Sequence, residues 1–130
     1  MNLRLLLDTH IAIWAVAGSA RLGAEAEAAI LAADEVFVSV ASLWEIAIKR
    51  ALGKAGMPVT SQQALQAFND AGYVLLDIRP EHAVHVERLP PIHKDPFDRL
   101  LVAQAMLEPL TLITSDKIIP RYSVAVMRVG

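Results

Sequence analysis

The chain contains no cysteine. That excludes disulfide staples and cysteine-ligated zinc, and it fits a reducing, cytoplasmic setting. Basic charge is not in excess either: 12 Lys and Arg against 14 Asp and Glu leave a net charge of -2. A strongly basic, sequence-indifferent nucleic-acid binder is thereby excluded. A nucleic-acid enzyme with a local basic patch is not. No uncharged apolar run approaches the roughly 20 residues that span a bilayer, so no membrane association is expected. The first apolar run stops at Asp8, which argues against a secretory leader. Repeats, low-complexity tracts and linkers long enough to separate domains are all missing. One domain over residues 1–130 is expected from the length of 130 residues.

What the chain does have is apolar residues, 55% of the total. They form short runs separated by turn signals. Leu3–Leu7, apolar throughout except at Arg4, reads as a buried parallel strand. Val36–Val40, Val74–Leu76, Leu110–Thr114 and Val124–Val129 read as four more strands, with a short turn before the last. Between them fall helical segments at Thr9–Ala17, Ala24–Ala33, Ser42–Leu52, a stretch from the Thr60–Gln63 capping box to Ala71, Pro80–Arg88, and Asp95-Pro96 to Leu107. Strands alternating with helices predict an α/β fold with three layers, α/β/α, around a central, mostly parallel sheet. The surplus apolar surface points to a large core plus an interface with another chain.

Four acids sit where an acid is locally out of place. Asp8 ends the run Leu5-Leu6-Leu7, and Asp116 follows Leu112-Ile113-Thr114-Ser115. Glu45 lies inside an apolar helix, and Asp98 opens the run Leu100-Leu101-Val102-Ala103. A lone carboxylate beside buried apolar surface is costly to ionise, whereas several that converge can share a divalent cation. Parallel sheets bind ligands beyond the C-terminal ends of their strands, where Asp8 and Asp116 fall. Asp98 tops a stripe with Leu101, Val102 and Ala105 and is expected to point inward. Each acid also has a local alternative. Asp8 suits a helix cap, Asp98 the helix dipole, Asp116 a turn, and Glu45 stands three residues after Ser42 at capping-box spacing. Asp95 precedes Pro96 and reads as a structural cap.

The blocks Leu5–His10, Val38–Lys49, His93–Ala105 and Leu112–Asp116, with Asp95-Pro96-Phe97-Asp98-Arg99 the most specific, resemble the PIN domain. More closely they resemble the VapC-type toxins of bacterial toxin–antitoxin pairs. The resemblance covers nearly the whole chain and matches the family's acid quartet at Asp8, Glu45, Asp98 and Asp116. It implies a ribonuclease that uses Mg2+ or Mn2+ to hydrolyse RNA, leaving 5′-phosphate and 3′-hydroxyl ends. It also implies a cognate antitoxin as partner and a homodimer.

On this reading Asp8 and Asp98 bind the metal most directly, Asp116 completes the site, and Glu45 binds the metal through water or orients the attacking water. An all-carboxylate set suits a hard ion such as Mg2+. Thr9 and Ser115 flank two of the acids and are candidates to hydrogen-bond a carboxylate or phosphate, with a turn or cap role as the alternative. Lys49, Arg50, Lys54, Lys94 and Arg99 are the basic candidates. A solvated helix face is the competing role for the first three, and an ion pair with Asp98 that for Arg99. Trp14 and Trp44 fit core or interface better than base stacking. His82 and His85 have metal-pair spacing but no third ligand nearby in sequence. His10 adjoins the site, and His93 is expected to order the loop before Asp95. Two other functions compete: a degenerate PIN module that acts through protein contacts, and a haloacid-dehalogenase-like phosphatase. The phosphatase needs a second Asp two residues after the first, where this chain has His10.

Overall fold

The computed structural model describes residues 3–53 and 56–130. Five strands form one sheet: β1 Arg4–Leu7, β2 Glu35–Ser39, β3 Val74–Leu76, β4 Thr111–Thr114 and β5 Val126–Arg128. Their spatial order is β3-β2-β1-β4-β5, and every pairing is parallel. Six α-helices lie among the described residues: α1 Thr9–Ala17, α2 Ala24–Ala32, α3 Val40–Ala51, α4 Ser61–Asp70, α5 Pro80–Val86 and α6 Pro96–Leu107.

Strand side chains alternate between two apolar cores. Leu5, Leu7, Val36, Val38 and Ile113 enter one, with Ile11, Ile46 and Phe68 of α1, α3 and α4. Leu6, Phe37 and Leu112 enter the other, with Leu101, Val102 and Ala105 of α6. Burial on both faces is why these strands read as continuous apolar runs, and the predicted three-layer arrangement follows from it. No helix among the described residues is long and apolar enough to cross a membrane.

The differences from the sequence reading are mostly at element ends. β5 is confined to Val126–Arg128, shorter than Val124–Val129, and two 3-10 turns at Ala20–Leu22 and Ile119–Arg121 go unannounced by any periodicity. The capping box forms as expected: Gln63 N–H donates to Thr60 Oγ1, and Thr60 N–H to Gln63 Oε1. One difference matters for the site. Ser39, not Ser42, caps α3, accepting from Ala41 N–H at 3.0 Å. β2 therefore runs into α3 without a loop, and Ser42 lies inside the helix with a buried hydroxyl. The capping-box role considered for Glu45 is excluded.

The strand order sets the position of the site. After β1 the chain builds β2 and β3 on one side, then crosses to β4 and β5 on the other. The reversal lies between β1 and β4, and ligands bind at the carboxyl ends of strands at such a point. Asp8 and Asp116 leave the sheet there.

Candidate active site

The four acids named from the sequence line one cleft of about 190 Å3, together with Thr9, His10, Lys49, Asp95 and Ser115. Asp8 comes from the end of β1. Its Oδ1 accepts from Ile11 N–H at 3.0 Å, so it caps α1, and its Oδ2 accepts from the Thr114 hydroxyl. The cap role and the cleft position coexist in one side chain. Burial pushes the Asp8 carboxyl up, against hydrogen bonds from Thr114 and Ile11 that pull it down. Thr114 Oγ1 also accepts from Asp116 N–H at 3.0 Å. One buried hydroxyl thus ties together the two acids at the strand ends.

Glu45 projects from α3 and is 4% exposed. Thr9 Oγ1 donates to its Oε1 at 2.6 Å, and Lys49 Nζ, one turn on, meets Oε2 at 2.5 Å. Ser42 Oγ lies 2.9 Å from the Thr9 hydroxyl and completes the chain. Burial works to lower the Lys49 pKa, but the bond to Glu45 and its charge outweigh this, and the ammonium is held above its usual range. Thr9 and Lys49 therefore position Glu45. Thr9 thus bonds a carboxylate, one of the two partners expected of it, and Lys49 is ion-paired to Glu45 while lining the cleft.

Asp98 lies in the first turn of α6. Asp95 caps that helix, with Oδ1 accepting from Phe97 N–H at 2.8 Å and Asp98 N–H at 3.2 Å. Burial, then the charge of Asp95, raises the Asp98 carboxyl to about 7, with Asp8 and Asp116 adding repulsion and His93 opposing it. Asp116 behaves oppositely. Burial raises it, but hydrogen bonds from His93, Ile118 N–H and Ile119 N–H prevail and hold it below the usual range.

His93 is the residue that sequence reasoning underrated. Its Nδ1 does order the loop, accepting from Asp95 N–H at 3.1 Å. Its Nε2 hydrogen-bonds Asp116 Oδ2 and lies equally close, 3.0 Å, to Asp98 Oδ2. Among the described residues, His93, Asp98 and Asp116 form the one group of possible metal ligands whose atoms converge within 4.8 Å. Asp8, which the sequence reading pairs with Asp98, is outside that group but lines the same cleft, and its charge bears on Asp98 ahead of that of Asp116.

Other candidates sit elsewhere. The Arg99 guanidinium donates to the carbonyls of Val86, Leu89, Pro90 and His93 and to the Tyr122 hydroxyl, at 2.9–3.5 Å. It staples the loop before α6, and among the described residues it forms no ion pair with Asp98. Arg50 donates to Met57 O, Lys94 is exposed, and Lys54 lies outside the described residues. His82 is buried, with Nε2 2.6 Å from Glu108 Oε2 and Nδ1 accepting from Arg79 N–H, so it makes no metal pair with His85. Trp44 is 56% exposed and meets Phe97 edge-on at 5.2 Å, which removes it from the core. Trp14 packs against the first core, as expected.

The PIN domain family model matches residues 5–125. The chain belongs to the PIN-domain family. This PIN domain is 34% identical over 118 residues to ribonuclease VapC22 of Mycobacterium tuberculosis, a match spanning 87% of each chain. Its fold is similar to that in VapBC2 from Rickettsia felis bound to a promoter DNA fragment, with TM-score 0.69, 15% identity, and 97% and 98% of the two chains covered. It is also similar to a toxin–antitoxin complex from Klebsiella pneumoniae, with TM-score 0.65, 21% identity, and 95% of each chain covered.

The acid set of this PIN domain fits a hard divalent cation. All the carboxyl groups offer oxygen, Asp8 and Glu45 are buried, and Asp98 is crowded by like charge. A cation would relieve that crowding.

Proposed function

We propose that this chain is a VapC-type endoribonuclease that depends on Mg2+ or Mn2+ and acts as one domain over residues 1–130. The observation that carries the reading is the meeting of Asp8, Glu45, Asp98 and Asp116 in one cleft at the sheet's switch point. The 34% identity to a ribonuclease supports the substrate class. Asp98 and Asp116 would hold the ion, with Asp8 beside them. A bound Mg2+ or Mn2+ supplies charge stabilisation at the phosphate and acidifies a water. Glu45, held by Thr9 and Lys49, is placed to accept a proton from an attacking water. Thr114 fixes Asp8 relative to Asp116, and Ser115 is left at the rim to meet phosphate.

The relatives of similar fold include complexes of toxin with antitoxin, which supports an antitoxin as partner here; a homodimer is proposed on the family resemblance. A 380 Å3 hollow lined by Ala15, Leu22, Ile30, Leu31 and Tyr73 offers apolar surface for a partner helix, and Leu31 is 79% exposed there.

The test is cleavage of structured RNA by the purified chain with Mg2+ or Mn2+, with and without EDTA. Cleavage should require the ion. Activity unchanged in EDTA would refute the metal mechanism.

A further inference from the structure

We propose that His93 is a positioning residue that spaces Asp98 and Asp116 by donating Nε2–H, and that it does not ligate the metal. The inference rests on the metal reading above and deepens it.

By distance alone His93 passes for a ligand, since its Nε2 lies 3.0 Å from both carboxylates. The other ring nitrogen decides the matter. A metal-ligating histidine turns its second N–H toward a carboxylate, carbonyl or water. The second nitrogen of His93 faces a donor instead, the Asp95 amide at 3.1 Å. Nδ1 must therefore carry the lone pair, which places the proton on Nε2. A metal needs the lone pair at Nε2. Supplying it would move the proton to Nδ1, against the Asp95 N–H, and break the bond that joins the loop to the cap of α6.

The backbone that carries the ring is anchored as well: the His93 main-chain N–H donates to the Tyr122 hydroxyl at 2.7 Å, and its main-chain carbonyl accepts from Arg99. Held in this way, Nε2–H donates to Asp116 and stands beside Asp98. It draws together two carboxylates that would otherwise repel, so they are spaced before any cation arrives.

The test uses the full-length chain with 15N-labelled histidine, observed by long-range 1H–15N correlation at neutral pH. The expected spectrum has Nδ1 of His93 in the unprotonated range and Nε2 in the protonated range. Saturating Mg2+ should leave that assignment unchanged. An Nδ1–H tautomer, or an Nε2 that loses its proton when Mg2+ binds, would overturn the proposal. This measurement needs no variant to fold.

A second arm measures Mn2+ affinity by calorimetry for the natural chain, His93→Ala, His93→Gln and Asp98→Asn. Loss of a supporting donor should weaken binding about 10- to 100-fold in His93→Ala. His93→Gln retains an N–H donor and should recover most of that loss. Natural affinity in His93→Ala, or no recovery in a folded His93→Gln, would count against the donor role. Unchanged Mn2+ binding in Asp98→Asn would instead refute the metal reading, and the tautomer would still decide the protonation of His93.

Discussion

Asp98 shows how one residue records the electrostatics of the cleft. Its carboxyl stands at about 7 in the fold, against 3.8 for a free side chain. Between those values the folded state holds the extra proton, so this group's contribution to stability falls as pH rises and is least favourable above pH 7. Asp98→Asn should therefore stabilise the metal-free protein at pH 8, on the order of 1–3 kcal/mol after allowing for solvent screening. The gain should vanish near pH 4, where the natural carboxyl is protonated as well. Thermal melts in EDTA at the two pH values check this, and an equal gain at both would reject the electrostatic account. The same substitution should abolish most RNA cleavage. Thr114→Val tests the other linkage. Removing its hydroxyl leaves Asp8 Oδ2 and Asp116 N–H without that partner, at a cost of about 1–3 kcal/mol in urea unfolding. A loss of only a few tenths would show that the bridge carries little.

At the scale of elements, the boundary between β2 and α3 explains both what the sequence disclosed and what it hid. The acids at the ends of β1 and β4 were legible because an apolar run that stops at a carboxylate marks a strand end by itself. The environment of Glu45 was not. Ser39 ends a strand and caps a helix at once, so no loop residue announces the start of α3, and Ser42 offered an equally good cap three residues later. Arg99 misled for a related reason. Adjacent residues on a helix point about 100° apart, so Asp98 and Arg99 cannot share a face. Asp98 turns to the cleft, while Arg99 turns to the loop carbonyls of residues 86–93. His93 lay in a loop with no period to betray it, and its role depends on Asp116, which is remote in sequence. If Arg99 is a staple, Arg99→Ala should cost about 1–3 kcal/mol, because several part-buried carbonyls lose a charged donor together. Arg99→Lys should recover only some of that, since an ammonium lacks the planar fork. Chemical denaturation of the two variants checks both. Full stability in Arg99→Ala would return the residue to the candidate phosphate contacts.

For the whole molecule, a cation bound among the acids after β1, on α3 and α6 and after β4 would add a link between these elements to the hydrogen bonds and packing already there. Mg2+ at a hundredfold excess over its dissociation constant should add about 2.7 kcal/mol of stability. The melting temperature of the natural chain should rise accordingly, and that of Asp98→Asn should not. A shift of equal size in the variant would place the ion elsewhere. The pairing of β1 with β4 bears on something different, the timing of synthesis. Leu5 pairs with Thr111, and Thr114 reaches Asp8 across 106 residues of chain. A growing chain carries Asp8 from the outset but cannot seat it against Asp116 until β4 has left the ribosome. At roughly 5–20 residues per second, about 5 to 20 seconds of synthesis separate Asp8 from the strand that seats it. A ribosome making such an enzyme would be exposed to it only after that interval, the point at which a partner protein must already be at hand.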